Sequence, residues 1–186
     1  MTIVTGVPRS GTSMMMRMLD SGGIRAFADG SRLPDVHNPG GYFEYGPVKR
    51  LAKDSSWLDV ARGRSLKVIY RLVRHLPDRL SYRVIFMERD LGEVLESQEK
   101  MLRRLDRTPA PSDQMRRSFT IHLQKLFQWL PQQFSMQVLK ISYNLLLENP
   151  QSEIAKVTRF LDDTTDSAQM LAAIDTTLYR NRHPAT

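Results

Sequence analysis

The segment Gly6-Val7-Pro8-Arg9-Ser10-Gly11-Thr12-Ser13 surrounds one arginine and three hydroxyl side chains with two glycines. Glycine lets a backbone turn sharply and approach an anion closely, so that successive N–H groups and a helix N-terminus point at phosphate oxygens. The spacing Gly6-x-x-x-x-Gly11 behind a β-branched run is that of a phosphate-binding loop. Loops of this kind that bind nucleoside triphosphates carry a lysine after the second glycine, whereas this chain has Thr12 there. That absence disfavours a standard ATPase or GTPase. The positive charge comes earlier, at Arg9, where it can face the bridging side of a phosphate. A glycine-rich strand-to-helix turn with no ligand has the same pattern, and the loop alone does not separate the two.

Three further groups carry chemistry. Arg89 follows a run of apolar residues and Ser97 comes eight positions later; an arginine at a strand's C-terminal end and a hydroxyl on the next helix can converge on one phosphate. In Asn38-Pro39-Gly40-Gly41-Tyr42-Phe43-Glu44-Tyr45, the Glu44 carboxylate is flanked by rings whose desolvation would raise its pKa, as a general base requires. It can equally cap a helix that begins near Pro47. His37 is the second candidate base, and Lys67, opening a buried strand, is a candidate second cation.

Pro8-Arg9-Ser10-Gly11-Thr12-Ser13 resembles the 5′-phosphosulfate loop, commonly written P-K-S-G-T-T-W, of sulfotransferases that use 3′-phosphoadenosine 5′-phosphosulfate (PAPS). The resemblance implies that Arg9, Ser10, Gly11, Thr12 and Ser13 bind the phosphosulfate, with Arg9 in the place of the lysine that assists the leaving oxygen. A planar guanidinium fork is not interchangeable with an ammonium. Arg89 and Ser97 are similar to the family's 3′-phosphate motif. Tyr143 lies in Ile141-Ser142-Tyr143-Asn144-Leu145, which resembles the family's Y-E-D-L segment and implies a place near the adenine. Asn38 to Glu44 resembles a segment of bacterial members, which implies Glu44 as the base. Met14 stands where the family has an aromatic residue. The C-terminal R-K-G loop has no clear match; Arg180 and Arg182 either substitute for it or belong to a basic terminus. These segments occur in the family's order from Thr2 to about Leu161. They imply transfer of a sulfuryl group from PAPS to a hydroxyl or amine acceptor, without a metal. The alternatives are a nucleotide or small-molecule kinase on the same architecture, and a catalytically degenerate module that holds a nucleotide or RNA.

The elements that must position these residues follow from periodicity. Short apolar runs alternate with longer segments of helical period, which predicts an α/β fold of the three-layer P-loop type: a central parallel sheet of about five strands flanked by helices. The expected strands are Thr2–Thr5, Leu66–Tyr70, Arg83–Met87 and Gln137–Ile141, with Gly23–Phe27 a weaker fifth. The expected helices are Thr12–Ser21, Pro47–Lys53, Leu91–Leu105, Asp113–Trp129 and Ser152–Leu161. Asp90 should cap the third of these, with Glu93 in its first turn, and Gly22-Gly23 should end the first. The breaker-rich stretch Asp29–Gly46 reads as a long functional loop, and Thr108-Pro109-Ala110-Pro111-Ser112 as a second break. Met115, Phe119, Leu123, Leu126 and Phe127 recur at helical spacing, which suits core, pocket wall or a homodimer interface.

Composition bounds the rest. A chain of 186 residues, 41% hydrophobic and 25% charged, reads as one globular domain over 1–186. The 27 basic against 20 acidic residues give a net charge of +7, which favours anionic partners without choosing among them. With no cysteine, disulfides and thiolate chemistry are excluded. The four histidines show no metal-ligand spacing. No apolar run approaches the ~20 residues that span a bilayer, and the N-terminal residues do not form a secretory leader; a cytoplasmic protein is expected.

Overall fold

The computed structural model describes residues 1–33, 35, 38 and 40–175. Four strands, β1 (Thr2–Gly6), β2 (Ser65–Lys67), β3 (Tyr82–Glu88) and β4 (Met136–Ser142), form one parallel sheet in the order β2-β1-β3-β4. Six helices accompany them: α1 (Thr12–Ser21), α2 (Leu91–Arg104), α3 (Ser112–Trp129), α4 (Tyr143–Glu148), α5 (Pro150–Phe160) and α6 (Ser167–Ala172).

The period-2 alternation of strand side chains divides the core into two faces. Ile3, Val84 and Phe86 point to one side and pack with Phe119 and Leu126 of α3. Val4, Ile85 and Met87 point to the other and meet Met15, Met18 and Leu19 of α1 and Ile154 and Val157 of α5. Both faces of the sheet are thus covered, which is why the strands read as continuous apolar runs. The stripe on α3 belongs to the first of these cores: Phe119 and Leu126 are buried, and Met115, Leu123 and Phe127 pack against them, with Phe127 edge-on to Phe86 at 4.8 Å. It serves packing and contributes nothing to the main cavity described below.

The sheet has four strands where about five were expected. The segment Gly23–Phe27 makes only a parallel bridge, Ala26 to Ser65, with Phe27 N–H donating to Ser65 O at 2.7 Å and Ser65 N–H to Arg25 O at 3.0 Å. Gly23 sits at φ 103°, so the chain leaves α1 through a left-handed turn and reaches the sheet edge for a single contact. The strand expected over Leu66–Tyr70 stops at Lys67 because Tyr70–His75 winds into a 3-10 turn. Pro47–Lys53 is likewise a 3-10 turn over Gly46–Arg50, and Tyr143–Glu148 adds a short helix that periodicity did not separate.

Caps follow the expected chemistry. Asp90 accepts from Glu93 N–H at 2.9 Å to start α2, and Asn149 accepts from Ser152 N–H to start α5. Strands β1 and β3 are neighbours, with Gly6 opposite Met87. Their C-terminal ends therefore open side by side, β1 into the Gly6–Gly11 turn and β3 into Arg89. The order reverses between these two strands, and that crevice is where open α/β sheets receive ligands.

Candidate active site

The turn after β1 is shaped by what it cannot accommodate. A Cβ on Gly6 would come within 2.6 Å of Met87 O and run into Ser10 Oγ; one on Gly11 would lie 2.8 Å from Cε2 of Tyr143. Gly11 is also at φ 92°, so both its conformation and the ring beside it require glycine. Arg9 holds φ 70°, a left-handed conformation that costs a non-glycine residue about 1–2 kcal/mol. Ser97 of α2 and Arg89, which lies between β3 and α2, secure it. Arg9 Nε donates to Ser97 Oγ at 3.0 Å, and Arg89 donates to Arg9 O at 3.0 Å.

Gly11 is also the N-cap of α1, a helix with no side-chain cap and no acidic residue in its first turn. Its first N–H groups therefore keep their capacity for an external anion. Arg9, Gly11, Thr12 and Ser13 line a cavity of about 650 Å³, within the range of small-molecule sites. Ser10 does not line it. Its side chain is fully buried beneath the turn, its N–H donates to Val7 O at 3.2 Å, and among the described residues its Oγ has no partner.

Behind the turn stands a buried ion pair. Arg89 Nε meets Glu93 Oε2 at 2.9 Å, with side chains only 7% and 1% exposed. Glu93 Oε1 accepts from Asn144 Nδ2 at 3.0 Å, and the Arg89 guanidinium lies 4.5 Å over the Tyr143 ring. Charged groups this deep survive only when paired and hydrogen-bonded. Burial lowers the pKa of Arg9, with nearby Arg89 adding to the effect while Tyr42, Tyr143 and Asp35 oppose it. Burial raises that of Tyr143, against the pull of Arg89 and Arg9. The cluster thus holds two guanidinium charges against one carboxylate, and one end of the cavity is electropositive. Ser97, Lys100, Met101 and Arg104 extend this wall along one face of α2.

The other end is built by the loop before the first 3-10 turn. Lys67 Nζ donates to Ser13 Oγ and to Tyr42 O, both at 2.9 Å, so it ties the start of α1 to the loop. Burial lowers its pKa to about 8, partly offset by Glu44 and reinforced by Arg32 and Arg9. Glu44 lines the cavity and pairs with Arg32 at 3.0 Å; their side chains are 30% and 45% exposed. Two of the rings that flank Glu44 in sequence have partners of their own. Tyr42 turns its hydroxyl to Asp35 at 2.7 Å, and Tyr45 packs on Phe27 and Trp57 at 4.6 and 4.9 Å. The alternative capping role is absent, because the 3-10 turn at Gly46 has no side-chain cap.

One cavity therefore gathers Arg9, Gly11, Thr12, Ser13, Glu44, Lys67, Arg89, Ser97 and Tyr143 from positions spread over most of the chain. Met14 lines it too. His37, Arg180 and Arg182 lie outside the described residues. Sequence reasoning missed Arg32, Lys49, Lys100 and Arg104, which also face the cavity. Lys100 and Arg104 were within reach, since positions 93, 97, 100 and 104 share one face of a helix. Arg32, in irregular chain, carried no periodic signal. Among the described residues no helix is long and apolar enough to cross a membrane.

No curated protein sequence matches the chain. Among solved structures, the sulfotransferase domain of the olefin synthase of Synechococcus PCC 7002 superposes with a TM-score of 0.53 at 15% identity, covering 100% of this chain and 89% of that one. At that identity the likeness speaks for the fold alone. A family model described as the sulfotransferase domain matches residues 1–182, nearly the whole sequence, and the chain belongs to the sulfotransferase domain family.

Proposed function

We propose that this protein transfers a sulfuryl group from PAPS to a hydroxyl or amine acceptor by in-line displacement, acting as one domain in the cytoplasm. The observation that carries the reading is the hydrogen bond at 3.0 Å from Arg9 to Ser97, side chains 88 positions apart. It joins the two ends expected to grip the donor's separate phosphates. Arg9, Gly11, Thr12, Ser13 and the N-terminus of α1 face the phosphosulfate, with Ser10 supporting the turn from beneath. Arg89 and Ser97 serve the 3′-phosphate, and Tyr143 offers a ring to the adenine. The cavity volume, its cationic wall and the glycine cradle all suit a multiply anionic nucleotide.

In the reaction the acceptor oxygen forms a bond to sulfur while the bond from sulfur to the bridging phosphate oxygen breaks. The electron pair leaves with that oxygen, and the acceptor's proton passes to Glu44. The products are the sulfated acceptor and 3′-phosphoadenosine 5′-phosphate. Arg9 and the helix N-terminus stabilise charge on the leaving phosphate; one preorganised donor of this kind contributes about 3–4 kcal/mol. Lys67, held at Ser13, supplies a second cation beside the transferred group. A positioned general base contributes about 10²–10⁴ in rate.

The test is a screen of alcohols, phenols and amines with PAPS labelled in its sulfuryl group. Label should reach an acceptor with the wild type and fail to do so with Arg9→Ala. Label that reaches no acceptor, or ATP with magnesium as the preferred donor, would overturn the assignment.

A further inference from the structure

The two ends of the cavity differ in how their charges are satisfied. At the donor end the cations face the sites of phosphates. At the acceptor end Arg32, Lys49 and Lys67 face the cavity beside one carboxylate, Glu44, and the walls between them are Tyr45, Val48, Ile69 and Tyr70. Lys67 is committed to Ser13 and Tyr42 O. Lys49, an Arg32 paired with Glu44, and a largely apolar surface face the acceptor.

Glu44 is the group that must take a proton, yet its Oε1 accepts from Arg32 at 3.0 Å. A carboxylate in a charge-assisted hydrogen bond is a weaker base than a free one. Arg32 is not held there by burial. It is nearly half exposed, sits at the start of the irregular loop, and stacks its guanidinium 3.3 Å over the Tyr42 ring. An exposed pair of this kind is worth little and exchanges partners readily. Its second support, the Tyr42 ring, stays in place when the carboxylate partner changes, because the Tyr42 hydroxyl is anchored on Asp35.

We propose that the acceptor is an amphipathic alcohol or phenol bearing an anionic group, and that Arg32 exchanges Glu44 for that anion when the acceptor binds. The apolar body lies along Val48, Ile69 and Tyr70, and the anion takes the guanidinium that remains stacked on Tyr42. Glu44, released, is the carboxylate that receives the acceptor's proton as the new bond to sulfur forms. An acceptor with no anion leaves Arg32 on the base. Selectivity for charged acceptors and activation of the base thus come from one partner exchange. This inference rests on the sulfotransfer reading.

The experiment measures binding of a series of ω-hydroxyalkanoates of increasing length, each beside its methyl ester, to the protein saturated with 3′-phosphoadenosine 5′-phosphate. Acid and ester share the hydroxyl and the chain, and the ester replaces the carboxylate's charge with a neutral group one methyl larger. The acid is expected to bind about tenfold more tightly than its ester, as a charge-assisted contact supplies. Arg32→Ala should erase that gap, and Arg32→Lys should restore part of it. Glu44→Gln removes the competitor for Arg32 and should tighten the acid about two- to fivefold while leaving the ester unchanged. Equal affinities of acid and ester in the wild type, a gap that survives Arg32→Ala, acid affinity unmoved by Glu44→Gln, or no binding by any member overturns the proposal. Nucleotide binding is recorded first in every variant: its absence in the wild type would overturn the donor assignment instead, and an unchanged value in Arg32→Ala shows that the variant is folded.

Discussion

The proposed donor and acceptor halves of the cavity are made of similar residue types and differ in how firmly the fold holds them. Arg89 and Glu93 are almost completely buried and tied to Arg9 O and Asn144, and Arg9 leans on the buried Ser97. Arg32 and Glu44 are 45% and 30% exposed and, among the described residues, pair with each other, with Arg32 also over the Tyr42 ring. Between them Phe43 sits at φ 52°, a left-handed conformation that is unfavourable for a bulky residue. On the proposed function, the difference teaches where each kind of specificity resides: a donor of invariant structure meets residues built into the core, and the acceptor meets a loop that can change partners.

The sharpest way to break this contrast is to remove one charge from each half. Glu44→Gln should lower turnover by about 10²–10⁴ while thermal unfolding stays nearly unchanged, because an exposed pair contributes ~0–1 kcal/mol; steady-state rates and a melting curve measured on one preparation check both. Arg89→Ala should do the reverse in its first effect. It strands Glu93 in the core at a cost of about 3–5 kcal/mol, which calorimetry would record as a melting point lowered by about 10 °C. A melt unmoved by Arg89→Ala would show that the donor half is no more rigid than the loop.

A subtler change sharpens the comparison at the turn itself. Gly11→Ala meets both the positive φ and the Tyr143 ring, so it should cost about 1–3 kcal/mol and weaken nucleotide binding about tenfold. Gly41, also at positive φ but with no described residue within 4 Å of an added Cβ, should show the conformational penalty alone when changed to Ala. The smallest effect belongs to Lys67, at the join between the halves. Its pKa lies near 8, below the ordinary 10.5, so its ammonium is lost as pH rises through 8. Affinity for PAPS should fall severalfold across that range, while affinity for the desulfated nucleotide stays flat. The same shift has a stability consequence of defined sign. Between about 8 and 10.5 the unfolded chain binds the proton that the folded chain releases, so this group favours folding at high pH and the advantage is lost as pH falls through 8.

Much of the donor half was legible because its parts are local and periodic. Gly6 ends one strand and Arg9 and Gly11 follow it, Arg89 comes just after another, and Ser97 lies about two helical turns further on. Short-range pattern and a parallel sheet bring such positions to one crevice. The inward turn of Ser10, whose Oγ occupies the space a Cβ on Gly6 would need, was not legible, since the face a side chain takes in a tight turn carries no periodic signal. The acceptor half was legible only as a breaker-rich loop containing Glu44. Its pairing with Arg32, 12 positions earlier, has no period that would announce it, and the aromatic neighbours that suggested desolvation turn to Asp35, Phe27 and Trp57 instead. The edge segment Gly23–Phe27 reads as a strand because its composition allows one, whereas only a partner of sufficient length makes one, and β2 spans just Ser65–Lys67.

The central claim, that the Gly6–Gly11 turn together with Arg89 and Ser97 grips a nucleotide bearing two separated phosphates, is tested most directly by titration calorimetry with 3′-phosphoadenosine 5′-phosphate. Saturable one-site binding that is tighter than that of ATP and lost in Arg9→Ala is the result this account predicts. No heat of binding from the wild type, or tighter binding of ATP, would contradict it.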